Sequence, residues 1–309
     1  MAGRKNDTLS YTTSQLFNFA RDSYLERTSR PIYAIVFLLP FIIFYEIGTL
    51  LINTDVLNRT QVRVVAFVWL QEMLQYLGTG DKFAWIAPPV VVVIILLGLQ
   101  IASRKPWWFC PADYLPMVLE SAALAVPLIV MSLFFNSPAV APRGASQLPH
   151  VPAVVQPCAA PVDAVATSHG HPRLSVQPAP APVPGRALLA NIVTGVGAGI
   201  YEELVFRLIL ICALMVLFQD IIGFDHKNAI ILAVLISAAL FSAHHHHIIF
   251  INGHFGRGAP FNWMEFVFRT VAGVYFAGLF ATRGFGITAG AHAFYDIIAT
   301  IVNTFFFGP

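Results

Sequence analysis

Residues 188–218 read LLANIVTGVGAGIYEELVFRLILICALMVLF, a long apolar run that holds Glu202, Glu203 and Arg207 at its middle. An ionisable side chain at membrane depth costs several kcal/mol unless it is paired or faces a polar cavity, so its default reading is functional. Two carboxylates and a guanidinium this close together are hard to explain as packing. The run is too long for one untilted span, so a tilt, a break or an extension beyond the bilayer is expected. Gly195 and Gly199 stand four apart just before the acidic residues and allow a neighbouring helix to approach closely.

Working outward, the composition agrees with a membrane setting. The chain has 309 residues, 57% hydrophobic and 11% charged, with a mean hydropathy of +0.70. Soluble domains carry about a quarter charged residues. With several apolar runs of about 20 residues, the expected fold is all-α, a polytopic transmembrane helix bundle of about seven to eight spans in contact with membrane lipids. Lys and Arg total 18 against 16 Asp and Glu, a balance that argues against a nucleic-acid partner. Cys110, Cys158 and Cys212 have no paired spacing, so neither a disulfide framework nor a cysteine zinc site is indicated.

Four regions follow. Residues 1–30 are polar, with Arg4, Lys5, Arg21, Arg27 and Arg30, too long and mixed for a signal-peptide n-region; they read as a cytoplasmic N-terminus before a retained first span. Ser10 to Ser29 suits a short amphipathic surface helix. Residues 31–136 hold the N-terminal transmembrane helices: Pro31 to Asn53, Phe83 to Ile101 and Tyr114 to Phe135, with Gln61 to Leu77 either an interfacial helix or a poor span. Arg104-Lys105 and Trp107-Trp108 close the second of these in a manner suited to a cytoplasmic interface. Residues 137–186 are dense in Pro, Ala and Val without periodicity and read as a disordered, partly polyproline II loop. Residues 187–309 carry four further runs: Leu188 to Phe218, Ala229 to Phe250, Met264 to Thr282 and Ile287 to Phe307.

The polar residues suited to chemistry concentrate in that last region. Glu203 and Arg207 are four apart, share a helix face and can pair. Glu202 points about 100° away around the helix and is left free to act. Phe241 and His245 form an FxxxH pattern within the run His244 to His247, and His292 with Asp296 forms HxxxD. Carboxylate, histidine, histidine and carboxylate from separate helices suit convergence on one water or one metal.

In this order, EELVFR at 202–207, FxxxH at 241–245 and HxxxD at 292–296 resemble the three motifs of the CAAX-protease and bacteriocin-processing (CPBP, or ABI) family of intramembrane proteases. That family includes the type II CaaX prenyl endopeptidases. The resemblance covers roughly residues 188 to 305. It implies an endopeptidase acting on a membrane-associated, in some members prenylated, protein or peptide. Glu202 would be the general base that activates water, with His245 assisting. Glu203 and Arg207 would orient the site, and His292 with residue 296 would stabilise the oxyanion. Many members are similar to HxxxN at the third motif. Asp296 is acceptor-only unless protonated, which favours a metal-ligand or histidine-orienting role. No cofactor is fixed by these residues: zinc on Glu202, His245 and His292, or a bare water among them, both suit the pattern.

One difficulty of depth arises. His245 lies late in its run and His292 early in a run of the same direction, so the two meet only if the helices are staggered, tilted or partly re-entrant. Other readings are weaker. His244, His246 and His247 read as an interfacial cluster, His226 and His254 as loop histidines, and His150, His169 and His171 as part of a solvated linker. No HExxH occurs, and Gly78-Thr79-Gly80-Asp81 precedes Tyr295-Asp296, the reverse of the order used by intramembrane aspartyl proteases. The rival functions are a catalytically silent scaffold of the same family and a metal or proton transporter. Transport would be favoured by inverted repeats between the halves, and none is visible.

Overall fold

The computed structural model describes residues 19–20, 22–53, 64–80, 83, 85–136, 184–246, 250–251, 254–255 and 260–307. The polar stretch to residue 18, almost all of the Pro/Ala-rich segment with its three histidines, Asp81 and His247 lie outside the described residues.

The helices are α1 (Tyr24–Thr28), α2 (Pro31–Asn53), α3 (Val65–Tyr76), α4 (Ala87–Ser103), α5 (Tyr114–Asn136), α6 (Pro184–Glu203), α7 (Ile211–Met215), α8 (His226–Ala243) and α9 (Trp263–Val302). Wider π-helical turns at Leu204–Leu210 and Val216–Ile221 flank α7 and carry α6 onward, which is how the long acidic run is accommodated. Among the described residues, five helices are long and apolar enough to cross a membrane: Pro31–Ile52, Pro111–Phe135, Ala187–Ile221, His226–Ala243 and Trp263–Phe306. The protein is thus a multi-pass, all-α membrane bundle. The apolar α4 is shorter, at 17 residues. With 12 residues, α3 rises only about 18 Å, too little for a hydrocarbon core of about 30 Å.

Outside and inside are inverted relative to a soluble protein. On α2, Leu39, Ile43, Ile47 and Leu51 repeat every fourth residue and are exposed, a stripe suited to lipid. Glu202, Glu203, Arg207, His244, His246 and His292 are buried. The bundle centres on α9, which packs against α2, α5, α6 and α8.

A straight helix of 40 residues would be about 60 Å long, twice the hydrocarbon core. It is not straight. Gly284 has φ 76° and ψ 179°, a conformation that is essentially glycine's alone. Phe276 and His292 lie equally far from it in sequence, and would stand about 24 Å apart along a continuous helix. Their rings instead stack with centroids 4.5 Å apart, so the two arms fold back on each other. The expected runs Met264 to Thr282 and Ile287 to Phe307 lie on either side of this break. A Cβ at position 284 would also lie 3.2 Å from the Ser29 carbonyl oxygen. We expect Gly284→Ala to destabilise the protein by about 1–3 kcal/mol, read as a lowered unfolding midpoint in detergent.

The second arm meets α6 closely because α6 offers glycine there. A Cβ on Gly199 would come within 2.6 Å of the Ala293 nitrogen and 2.7 Å of the Ala289 oxygen. This is the approach that the Gly195/Gly199 spacing predicts.

One end of the bundle is tied by ions. Arg283, at the turn of α9, donates to Glu120 from Nε (2.5 Å) and Nη2 (2.8 Å), and its Nη1 reaches the Leu25 carbonyl at 3.0 Å. Tyr24 donates to the same Glu120 at 2.7 Å. Arg27 donates to both oxygens of Asp113 at 2.8 and 2.9 Å, bonds that hold the guanidinium above its usual pKa. Non-local partners therefore satisfy Glu120, which has none at helical spacing.

Candidate active site and metal centre

The site is built where α6 passes into the π-helical segment Leu204–Leu210, a widened turn of the kind often found at functional positions. Glu203 and Arg207 pair as their spacing predicts: Arg207 Nε lies 3.1 Å from Glu203 Oε2, and the two side chains are at most 1% exposed. Arg207 also lies over the Phe241 ring, 4.0 Å from its centroid, and its Nη2 donates to the Gly273 carbonyl at 3.4 Å. Phe206 packs edge-on against Phe241. These aromatic contacts keep water from the ion pair.

On the second arm of α9, His292 Nδ1 lies 2.7 Å from Glu203 Oε1. An ionised carboxylate only accepts, so this bond puts a proton on Nδ1 and leaves Nε2 facing inward. That Nε2 stands 4.0 Å from Glu202 Oε2 and 3.7 Å from Asp296 Oδ2. Asp296 thus stands beside the histidine of its own motif, beyond hydrogen-bond distance of it.

The third contribution comes from the end of α8, and here the structure differs from the sequence reading. The helix stops at Ala243 and does not run to Phe250; a two-residue β-strand β1 (Phe250–Ile251) follows and pairs with β2 (His254–Phe255). At the helix end both His244 and His245 turn their Nδ1 toward the Phe241 carbonyl, at 2.5 and 2.9 Å. A carbonyl has two lone pairs and accepts from both rings. In the neutral imidazoles each Nε2 is then a lone pair, and both point at Glu202: His244 Nε2 is 3.4 Å from Oε1, and His245 Nε2 is 3.9 Å from Oε2. His244, expected at an interface, is buried and is the nearer of the two. Its ring lies edge-to-face with Trp69 of α3, centroids 5.7 Å apart, a contact without local sequence signal.

Stagger between the helices brings these groups together. His245 follows the whole of α8, about 27 Å of helix, whereas His292 follows only about 12 Å of the second arm of α9. Both histidines nonetheless reach Glu202, their Nε2 atoms standing 3.9 and 4.0 Å from its Oε2.

The chemistry of this donor set suits a cation. The ligand atoms of Glu202, His244 and His245 lie within 4.8 Å of one another. Both oxygens of Glu202 and Nε2 of His244 are buried and have no hydrogen-bond partner among the described residues. Lone pairs turned on one another in a buried site repel unless a cation or a proton donor lies between them. A carboxylate and two imidazole nitrogens are also a zinc-type ligand set. If a metal is used, the sequence offers Glu202, His245 and His292 as its ligands; in the structure the clustered atoms are those of Glu202, His244 and His245, and His292 Nδ1 is engaged by Glu203.

A multi-pass helical membrane protein with a buried Glu–His–His cluster fit for a metal ion is the class that fold and site define. Residues 184–298 match the family model described as Type II CAAX prenyl endopeptidase Rce1-like, and it is this segment that is similar to that family. The matched segment contains every residue named in the three motifs and none of α1 to α5. No curated protein and no solved structure matched the chain.

Proposed function

We propose that the protein is an intramembrane endopeptidase that hydrolyses a peptide bond of a membrane-associated, prenylated protein or peptide. The observation that carries this reading is Glu202, a fully buried carboxylate with both oxygens unpartnered and two imidazole Nε2 atoms turned on it. The prenylated substrate rests on the family description.

In this reading Glu202 takes a proton from water as the water oxygen adds to the carbonyl carbon, and later gives that proton to the leaving amine. His244 and His245 hold the water against Glu202. His292 is fixed through Nδ1 by Glu203, and Arg207 in turn fixes Glu203. A proton on His292 Nε2 meets the developing oxyanion. Glu202, His244 and His245 would hold a divalent ion such as zinc, which when bound supplies Lewis-acid polarisation of the carbonyl. The bundle in this reading crosses the membrane seven times, counting α4 and the two arms of α9 separately, with the N-terminus cytoplasmic.

The test is cleavage of prenylated and non-prenylated peptide pools by detergent-purified protein, with and without a zinc chelator. We expect cleavage of the prenylated pool, loss of it with chelator and return of it with added zinc. Cleavage that survives the chelator would leave the protease but remove the metal. Folded protein that cleaves neither pool would favour a silent scaffold.

A further inference from the structure

His244 caps the end of α8, where the chain leaves the helix, yet its side chain is fully buried. The contact between Nδ1 and the Phe241 carbonyl anchors one ring atom. The rest of the ring is held by what packs on it. Besides the neighbouring His245, three aromatic rings do so. Phe206 lies 4.8 Å away, centroid to centroid, and Phe241 5.6 Å away. The third is the indole of Trp69, 5.7 Å from His244 at an interplanar angle of 64°, which also meets Phe206 at 6.4 Å.

Phe206 and Phe241 belong to the motifs and to the matched residues 184–298; Trp69 belongs to neither. It is carried by α3, which is firmly seated. Ala66, Phe67 and Leu70 of that helix are buried, and the Val64 N–H donates to the Tyr45 hydroxyl at 3.4 Å. Phe67 stands edge-on to Tyr201, the residue before Glu202, with centroids 4.9 Å apart. Phe67 and Trp69 thus touch α6 and its π-helical continuation on either side of Glu202 and Glu203. A helix too short to span the membrane brings an indole to the site instead. Tryptophan is large and stiff, with only two side-chain torsions, so it restrains a neighbouring ring at low entropic cost. The shell that orients a ligating histidine and keeps water from it sets metal affinity, commonly by about 10–100-fold.

We propose that Trp69 is a positioning residue: its indole holds the His244 imidazole with Nε2 turned on Glu202, and so sets the affinity of the site for a divalent ion. The inference rests on the metal-centre reading of Glu202, His244 and His245. It makes α3, outside the matched segment, a working part of that centre.

The test is zinc affinity, measured by competition with a chelating dye on detergent-purified full-length protein without substrate. Trp69→Ala should bind zinc about 10–100-fold more weakly than wild type, and Trp69→Phe should keep most of the affinity. Trp85→Phe, which changes an exposed indole in the turn before α4, should keep all of it. A residue that acts through His244 has nothing to act on once the imidazole is gone. Trp69→Ala added to His244→Ala should therefore cost no further affinity, whereas a merely structural role costs the same in both backgrounds. Cobalt(II) takes the same nitrogen and oxygen ligands and quenches the emission of a nearby indole. Its quenching should be smaller in Trp69→Phe than in wild type. Wild type that binds no zinc, an unchanged affinity in Trp69→Ala, additive losses with His244→Ala, or equal cobalt quenching in wild type and Trp69→Phe overturns the proposal. If Trp69→Ala fails to fold, the cobalt comparison decides alone. The expected zinc pattern in a protein that cleaves no peptide upholds the positioning role and overturns the protease.

Discussion

Glu202→Gln is expected to lower kcat by about 10³-fold while leaving the protein at least as stable as wild type. The two halves of this result come from one cause. Glutamine has nearly the shape of glutamate but cannot take a proton from water, so in the proposed mechanism the chemical step loses its base. The carboxylate it replaces is buried with both oxygens unpartnered among the described residues, and a buried unpaired charge burdens the folded state. Removing that charge relieves the burden. Initial rates on the prenylated peptide pool and unfolding midpoints of metal-free protein in detergent read the two effects separately. A variant retaining more than about a tenth of wild-type kcat would assign the base elsewhere. One that loses activity because it unfolds would make Glu202 structural.

Arg207→Met should have the opposite signature. Glu203 is fully buried, and Arg207 is its cationic partner at 3.1 Å. Removing one member of a buried ion pair costs about 3–5 kcal/mol, because the other is stranded. The unfolding midpoint should therefore fall sharply, and activity with it, since Glu203 also holds His292. The double variant Glu203→Gln with Arg207→Met should recover much of the lost stability, since no charge is left unpaired. It should not recover activity, because an amide in place of the Glu203 carboxylate no longer fixes the His292 tautomer. Additive losses in that double-mutant cycle would mean that the two side chains do not act as a pair.

Much of this architecture is legible from periodicity and composition. Runs near 20 apolar residues announce spans, and the four-residue spacing of Glu203 and Arg207 predicts their pairing because both lie on one helix. The limits are physical too. His244 reads as interfacial only while the phase of α8 is carried past Ala243. Beyond a helix end successive residues no longer step by 100°, and both His244 and His245 swing back to the Phe241 carbonyl. Glu120 and Arg283 pair across most of the chain, a contact that no local period encodes. Trp69 meets His244 from an element with no motif of its own. His245 and His292 meet at Glu202 despite their unequal positions along their helices, a convergence that hydropathy does not report.

The fold-back at Gly284 bears on how the protein is made. His292 lies beyond the turn, yet its ring rests on Phe276 before the turn and its imidazole on Glu203 of a much earlier helix. A nascent chain released into the membrane span by span holds Glu202, His244 and His245 well before His292 emerges. Arg283 likewise reaches its clamp on Leu25 and Glu120 only at that late moment. The ribosome therefore delivers His292 almost together with the Arg283 latch that ties one end of the bundle. Through most of its own synthesis the chain thus lacks His292, and the cluster around Glu202 is completed only at the end.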